Sequence, residues 1–300
     1  MLSMFGRLIL ISVCIFFIIE FFDPETKISN ELYSEMSQKT RSSDRKSDFA
    51  GEEFWEDIDQ QLCDDPGFDE TWKKAESLCY SVIRGYEETR IEVLSSSPPL
   101  VIYRGFFTKK QVDDYSKIFK KRNLEKQTVV SQNGTDHSST IRVANGLATP
   151  ASDFPEAQNL HDTASRLIPV INFDNSEPIQ GLKYNIKGHY GPHYDYLNVS
   201  GISEDDNRMA TFLVNIKAAD VGGGTVFPYL GTVARTKPGD AILWFNMKQN
   251  RELEPLSLHG GCPVRSGEKI VAAISVERKG QELFKTFHED KSFSADVLLH

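Results

Sequence analysis

A chain of 300 residues, 39% of them hydrophobic, can bury one core of ~200 residues and still carry appendages. Its formal net charge of -9, with no dense stripe of Lys and Arg along it, argues against a nucleic-acid partner, which is held by basic side chains. Acidity by itself selects no substrate.

From the N-terminus, Arg7 precedes the apolar run 8–22, LILISVCIFFIIEFF, interrupted only by Ser12 and Glu20. The run falls short of a comfortable span of ~20 residues, and its basic flank matches the hydrophobic region of a secretory signal. Phe21-Phe22-Asp23-Pro24 follows with no small-residue cleavage site. Residues 1–22 therefore read as a signal peptide or as an uncleaved signal anchor with Arg7 on the cytoplasmic side. Either reading sends the chain into the secretory pathway, to the lumen or, as a type II protein, the membrane of the endoplasmic reticulum. Two N-x-S/T triplets make Asn133 and Asn198 candidate glycosylation sites. Of the four cysteines, Cys14 lies in the leader, and Cys63 and Cys79 bracket a helical stretch and can pair in an oxidising lumen. Cys262 is then left odd.

Residues 23–60 are polar and charged and read as a linker. Over 66–90, Trp72, Ala75, Leu78, Val82 and Ile83 recur at helical spacing, which predicts a helix docked before the core. Pro99 to Tyr103 reads as a strand. Thr108 is the expected N-cap of a helix over 109–122, and a second helix is expected over 154–169. Residues 61–175 thus form a support region of helices and strand. Beyond residue 178 the pattern changes to short strands and glycine-rich turns, with strands expected at 179–186, 189–195, 209–217, 231–235, 240–245, 255–260 and 268–277. This predicts a mainly β fold with supporting helices, its core over 176–285 a double-stranded β-helix or jelly roll.

His193 and Asp195 stand two positions apart on one of these strands, so their side chains share a side. With a second histidine they would make the two-histidine, one-carboxylate face that suits ferrous iron. His259 closes the run Glu254-Pro255-Leu256-Ser257-Leu258 on a later strand, and Lys269 follows ten residues on, leading into Ile270-Val271-Ala272-Ala273-Ile274. A lysine entering a buried strand is costly without a counter-charge, which a carboxylate cosubstrate would supply. His189 lacks a carboxylate two residues on and reads as a rim or hydrogen-bonding histidine. Gly222-Gly223-Gly224 lacks the Gly-Lys-Ser/Thr of a phosphate loop and reads as a tight turn.

The words around these residues resemble one family closely. They are Tyr184-Asn185-x-x-Gly188-His189-Tyr190-x-Pro192-His193-x-Asp195, Asn207-Arg208-x-Ala210-Thr211 and Gly222-Gly223-Gly224-Thr225-Val226-Phe227-Pro228, followed by Pro238-Gly239-Asp240-Ala241-x-x-Trp244-Phe245-Asn246 and His259-Gly260-Gly261-Cys262-Pro263-Val264. Over roughly 77–288 the chain is similar to the 2-oxoglutarate- and iron-dependent dioxygenases of the collagen-type prolyl 4-hydroxylase branch. The resemblance implies that His193, Asp195 and His259 hold Fe(II) and that Lys269 and Tyr184 hold the distal carboxylate of 2-oxoglutarate. It also implies that O2 is consumed, that L-ascorbate keeps the iron reduced and that a proline-containing polypeptide is hydroxylated. Protein disulfide isomerase or a second copy of the chain is the partner it suggests. Arg142 and Trp244 match positions near the family's peptide groove; a surface ion pair and a core tryptophan are the plainer readings of the two. Val143-Ala144-Asn145-Gly146-Leu147 departs from the family pattern, which leaves open a different protein side chain as target, or a non-catalytic peptide-binding module.

Overall fold

The computed structural model describes residues 48–64, 78–84, 86–130, 136–198 and 201–299. The expected leader, most of the expected linker, Cys14 and Asn133 lie outside the described residues. Among those described, no helix is long and apolar enough to cross a membrane.

Fourteen strands build two antiparallel sheets. In chain order they are β1 (Leu78–Arg84), β2 (Glu87–Ser96), β3 (Pro99–Arg104), β4 (Glu125–Lys126), β5 (Arg142–Val143), β6 (Asn145–Thr149), β7 (Ile179–Tyr184) and β8 (His189–His193). Then come β9 (Arg208–Lys217), β10 (Thr225–Phe227), β11 (Thr232–Ala234), β12 (Ala241–Phe245), β13 (His259–Gly261) and β14 (Lys269–Glu277). The larger sheet runs β1-β2-β3-β12-β9-β14-β7-β6-β4, and the smaller runs β11-β10-β13-β8-β5.

Side-chain alternation on the larger sheet decides what each face covers. Leu100 and Ile102 of β3, with Ile242 and Trp244 of β12, meet Phe227 and Ala234 of the smaller sheet. Their neighbours Val101, Tyr103, Ala241 and Leu243 turn the other way, as do Phe212, Ile270, Ala272 and Ile274. That second face lies under two helices, α2 (Lys109–Ser116) and α4 (Pro155–Leu167), which bury Val112, Tyr115, Leu160, Ala164 and Leu167 against it. Period two in the strands and period 3.6 in the helices thus meet at one interface. The result is the jelly-roll core with helices buttressing one sheet. Thr108 caps α2 as expected, its hydroxyl accepting from the Gln111 amide while the Gln111 side chain accepts from the Thr108 amide. A short α3 (Ile118–Lys121) continues α2 after Lys117, which splits the helix expected over 109–122.

Three expectations are corrected. The linker expected over 23–60 gives way to packed chain at Asp48. Phe49 and Trp55 are buried, a turn of 3-10 helix covers Glu52–Phe54, and α1 (Asp57–Asp64) buries Ile58 and Leu62. Second, the helix expected over 66–90 is in its described part a β-hairpin. β1 pairs with β2 from Leu78↔Val93 to Arg84↔Glu87, and the spaced apolar residues Leu78 and Ile83 are exposed rather than docked. Cross-strand pairing has overridden the helical spacing, and Val82 alone of the three described positions packs partly buried against the core.

Third, Cys63 does not pair with Cys79. It pairs with Cys262, with Cα atoms 5.6 Å apart and a sequence separation of 199. Cys63, Phe49, Trp55 and Leu62 share an apolar cluster with Val226, Val233 and Cys262, so burial of α1 against the smaller sheet brings the two sulfurs together. Cys79 stands exposed on β1, at the far edge of the larger sheet. The disulfide makes 48–64 a strap over the outside of the smaller sheet. Closing so long a loop stabilises a folded chain by about 2–5 kcal/mol. Cys63→Ser is therefore expected to lower the unfolding free energy by that order, and Cys79→Ser to leave it unchanged, in paired denaturant titrations. Equal effects of the two would refute the assignment.

Candidate metal and cosubstrate site

The smaller sheet aims its two histidines by an irregularity in β8. Tyr190 pairs with Gly261 and His193 with His259, so the step from Tyr190 to His193 is matched by only two steps on β13. The extra residue is a β-bulge, and bulges re-aim side chains. Without it, period two would put His193 on the face of His189, which lies fully buried under the strap with its ring 4.7 Å from that of Phe49. With it, His193 shares the face of Tyr190 and stacks on that ring at 3.5 Å and 16°. Direct pairing then sets the His193 and His259 rings 4.4 Å apart.

Asp195 lies just past the end of β8, yet it reaches both rings. Its two carboxylate oxygens stand 3.5 Å from His193 Nε2 and 3.5 Å from His259 Nε2. One donor atom from each of the three residues falls within 4.8 Å of the others. The far nitrogens are occupied: His193 Nδ1 meets the Gly191 carbonyl at 2.8 Å and His259 Nδ1 the Ser257 carbonyl at 2.9 Å. A carbonyl only accepts, so each Nδ1 carries the proton and each Nε2 presents a lone pair toward the aspartate.

The carboxylate is held as firmly. Thr211 donates its hydroxyl to Asp195 Oδ2 at 2.6 Å, and Asn246 donates to Thr211 at 3.0 Å. Arg208 donates to the Asp195 carbonyl at 3.0 Å while its own guanidinium is clamped on both oxygens of Glu177. Burial alone would raise the Asp195 carboxyl, but His259, His193 and Arg208 around it hold it well below the usual carboxylate range. Burial pushes the His259 imidazole down to about 4, against the pull of Asp195. An ionised carboxylate beside a neutral imidazole is the protonation state a metal needs. Thr211→Val, which deletes the hydroxyl that orients the carboxylate, is expected to weaken Fe(II) binding by about 10–100-fold. Titration of the metal-free protein with Fe(II) under anaerobic conditions reads this, and unchanged affinity would remove Thr211 from the site.

A buried cation lies on the facing sheet. Lys269 opens β14 and Tyr184 ends β7, and the two are cross-strand partners. Lys269 is buried, and burial pushes its amine down to about 8. Among the described residues it has no ion pair; the neighbouring Glu268 is taken by Lys183 and Lys217. Burial pushes the Tyr184 phenol up to about 12, so its proton stays in place as a donor. The run Gly222-Gly223-Gly224 is the expected tight turn. Gly222 and Gly223 take φ of 78° and 70°, and a Cβ on Gly222 would stand 2.3 Å from the Pro263 carbonyl.

The remaining expected residues are placed as follows. Arg142 lies over the outer face of the Tyr190 ring at 4.6 Å and donates to the Thr128 carbonyl, so it forms the third layer of a stack with Tyr190 and His193 instead of a surface ion pair. Trp244 is 2% exposed, between the sheets and 4.6 Å from the His259 ring. It backs that histidine and does not line an open groove. Ala144, in the stretch that departs from the family pattern, packs with Tyr184 and Leu182. His189 places its ring nitrogens against the Lys187 and Thr140 carbonyls. Asn198 is exposed. Sequence reasoning assigned no role to Thr211, Asn246 or Arg208, although each stands inside a quoted word; their roles are visible only in the contacts that Thr211 and Arg208 make to Asp195 and Asn246 makes to Thr211.

Three comparisons bear on this site. A family model described as the 2OG-Fe(II) oxygenase superfamily matches residues 179–276, which contain all three residues of the cluster and Lys269. Prolyl 4-hydroxylase 5 of Arabidopsis thaliana is 30% identical over 207 residues, 62% of this chain and 70% of that protein. Probable prolyl 4-hydroxylase 6 of the same plant is 31% identical over 206 residues, 61% of this chain and 70% of that protein. A viral collagen prolyl hydroxylase from Paramecium Bursaria Chlorella virus-1, solved as a 2OG complex, superposes with a TM-score of 0.48 at 24% identity over 59% of this chain and 94% of that one.

Proposed function

The chain belongs to the prolyl 4-hydroxylases of the 2OG-Fe(II) oxygenase superfamily, and on that premise we propose that it hydroxylates prolyl residues at the 4-position in collagen-like or other proline-containing polypeptides of the secretory pathway. As a member of that family it is a 2-oxoglutarate-dependent oxidoreductase. The observation that carries the reading is the convergence of two imidazole Nε2 atoms on one ionised carboxylate, opposite a buried lysine with no ion pair among the described residues.

The donor set fits the cofactor: two imidazole nitrogens and one carboxylate oxygen converging on one point suit Fe(II). In this reading His193, Asp195 and His259 hold the iron, and Lys269 and Tyr184 take the distal carboxylate of 2-oxoglutarate. Iron bound there supplies oxygen activation, coupling conversion of 2-oxoglutarate and O2 to succinate and CO2 with transfer of one oxygen atom to the proline ring. The chain's own residues do the positioning. The backbone carbonyls of Gly191 and Ser257 fix the imidazole tautomers, and Thr211 fixes the carboxylate. Phe227 and Trp244 wall His259 from solvent.

L-ascorbate serves to return oxidised iron to the ferrous state. The Cys63–Cys262 disulfide supports an oxidising compartment, the lumen or membrane face of the endoplasmic reticulum, reached through residues 1–22. Asn133 and Asn198 are the glycan sites of this reading, and protein disulfide isomerase or a second copy of the chain is its partner. Incubation of the full chain with Fe(II), 2-oxoglutarate and a panel of proline-bearing peptides tests it. Succinate should appear in step with peptides that gain one oxygen atom on proline. Succinate without peptide oxidation across the panel, or none at all, would count against it.

A further inference from the structure

We propose that β1 is a docking edge for β1 of a second copy of this chain, the two strands pairing antiparallel about a two-fold axis at Ser81. The inference gives a surface to the second copy named as a partner above, and it uses no part of the proposed iron chemistry.

The two sheets present four edges, and three of them are guarded. β4, at one end of the larger sheet, is two residues long and charged, Glu125-Lys126. β5 and β11, the ends of the smaller sheet, have two and three residues. Short or charged edges keep unpaired N–H and C=O groups from recruiting another strand. β1 has neither defence. It runs seven residues, Leu78-Cys79-Tyr80-Ser81-Val82-Ile83-Arg84, and among the described residues it pairs only with β2. Its one charged side chain is engaged within the molecule, Arg84 donating to the Leu167 and Leu298 carbonyls. Leu78 is 47%, Tyr80 36% and Ile83 80% exposed, so apolar exposure gathers where the ladder is open.

The strand is complementary to itself. In an antiparallel pair about Ser81, Tyr80 of each copy faces Val82 of the other, Cys79 faces Ile83, and Leu78 faces the aliphatic stem of Arg84. Aromatic and β-branched side chains opposite one another are favourable cross-strand pairs. Tyr80 lies on the face of Ile91 and Tyr103, and Val82 already packs against that core, so the pairing carries the same apolar layer into the second copy. An edge without a free charge offers an acidic or basic strand no counter-charge, whereas its own copy meets it without repulsion. One surface serves both partners, so association closes at two. Four residues separate the two Cys79 positions along the pair, ~14 Å, too far for a disulfide. The dimer is therefore non-covalent, with each Cys79 thiol covered by Ile83 of the other copy.

Sedimentation of the full chain without metal or 2-oxoglutarate tests the proposal, so its outcome is separate from that of any turnover assay. The wild type should pass from monomer to dimer as its concentration rises. Ser81 is exposed, its hydroxyl bonded to Glu88 on β2. Ser81→Lys and Ser81→Glu each set like charges face to face on the axis, and each should weaken self-association by about tenfold or more. Mixing the two variants should restore a dimer with one chain of each, which also shows that both are folded. Labelling of Cys79 by a maleimide should slow as the wild type is concentrated. A wild type that stays monomeric, variants that dimerise as it does, or a mixture that stays apart overturns the proposal. A monomer whose Cys79 is shielded at every dilution also overturns it, giving the edge to another stretch of the same chain. So does a Cys79–Cys79 cross-link formed in high yield with oxidised glutathione, which would move the axis by two residues.

Discussion

Asp195→Asn is expected to lose more than ~10^3-fold in turnover, a deficit of ~4 kcal/mol or more in transition-state stabilisation. The substitution keeps the size of the side chain and removes its charge. Two imidazoles and a neutral amide then face one another, and the anion that balances a divalent cation is gone. The amide is also poorly matched to its surroundings: Oδ2 accepts from Thr211, whose own oxygen is filled by Asn246. Rotating the amide to donate toward one imidazole directs its oxygen away from the other. Both Nε2 atoms lie 3.5 Å from the present carboxylate, so neither compensates for the missing ligand. Fold and stability should change little, since the Arg208–Glu177 clamp and the two sheets do not depend on the charge. Metal content after desalting, circular dichroism and succinate release measured together check this. A folded Asn variant that retains iron and turns over at a tenth of the wild-type rate would remove Asp195 from the proposed ligand set.

How much was legible in the sequence follows from the range of each interaction. Most strands from residue 179 onward showed themselves because period-two alternation is local, although Thr225–Phe227 was not expected and Pro255–Ser257 is a 3-10 turn where a strand was expected; His193, Asp195, His259 and Lys269 were named because ordered words surround them. The bulge in β8 was not legible. An extra residue in a strand exists only relative to its partner, and β13 lies dozens of residues away. Reading His193 and Asp195 as neighbours on one strand reached the right cluster by a different geometry, since Asp195 lies beyond the ladder. The disulfide failed for the same reason. Cys63 and Cys79 are close in sequence, but α1 packs on the smaller sheet and β1 lies at the far edge of the larger one. Polar composition hid the strap, because two aromatics, Phe49 and Trp55, anchor it within a charged stretch. Thr211 and Asn246 were visible as letters and opaque as roles, since a hydroxyl two strands from the ligand acquires meaning only when the sheets face each other.

Lys269→Met separates what this lysine does for the fold from what it does for the proposed cosubstrate, with opposite signs. In the protein without 2-oxoglutarate the ammonium is buried and has no ion pair among the described residues, and burial alone lowers its pKa from 10.5 to about 8. The folded value lies below the unfolded one, so the unfolded chain binds more protons between those limits. Below about pH 8 the destabilisation is present in full, and stability recovers as pH rises through the window to 10.5. A shift of that size corresponds to about 3 kcal/mol. Lys269→Met removes the buried charge and keeps most of the volume, so the ligand-free variant should be more stable than the wild type at pH 7 by up to that order. Its affinity for 2-oxoglutarate should fall about a hundredfold, as expected for losing a charge-assisted hydrogen bond of about 3 kcal/mol. In the wild type the same affinity should fall as pH rises past about 8, because binding then requires uptake of a proton. Thermal unfolding at pH 7 and 9, with equilibrium binding of 2-oxoglutarate at both, reads both effects. A Met variant that is destabilised at pH 7 with unchanged 2-oxoglutarate affinity would make Lys269 a structural residue. Gain in one measurement and loss in the other is the result expected of a charge kept in the core for a ligand that arrives later.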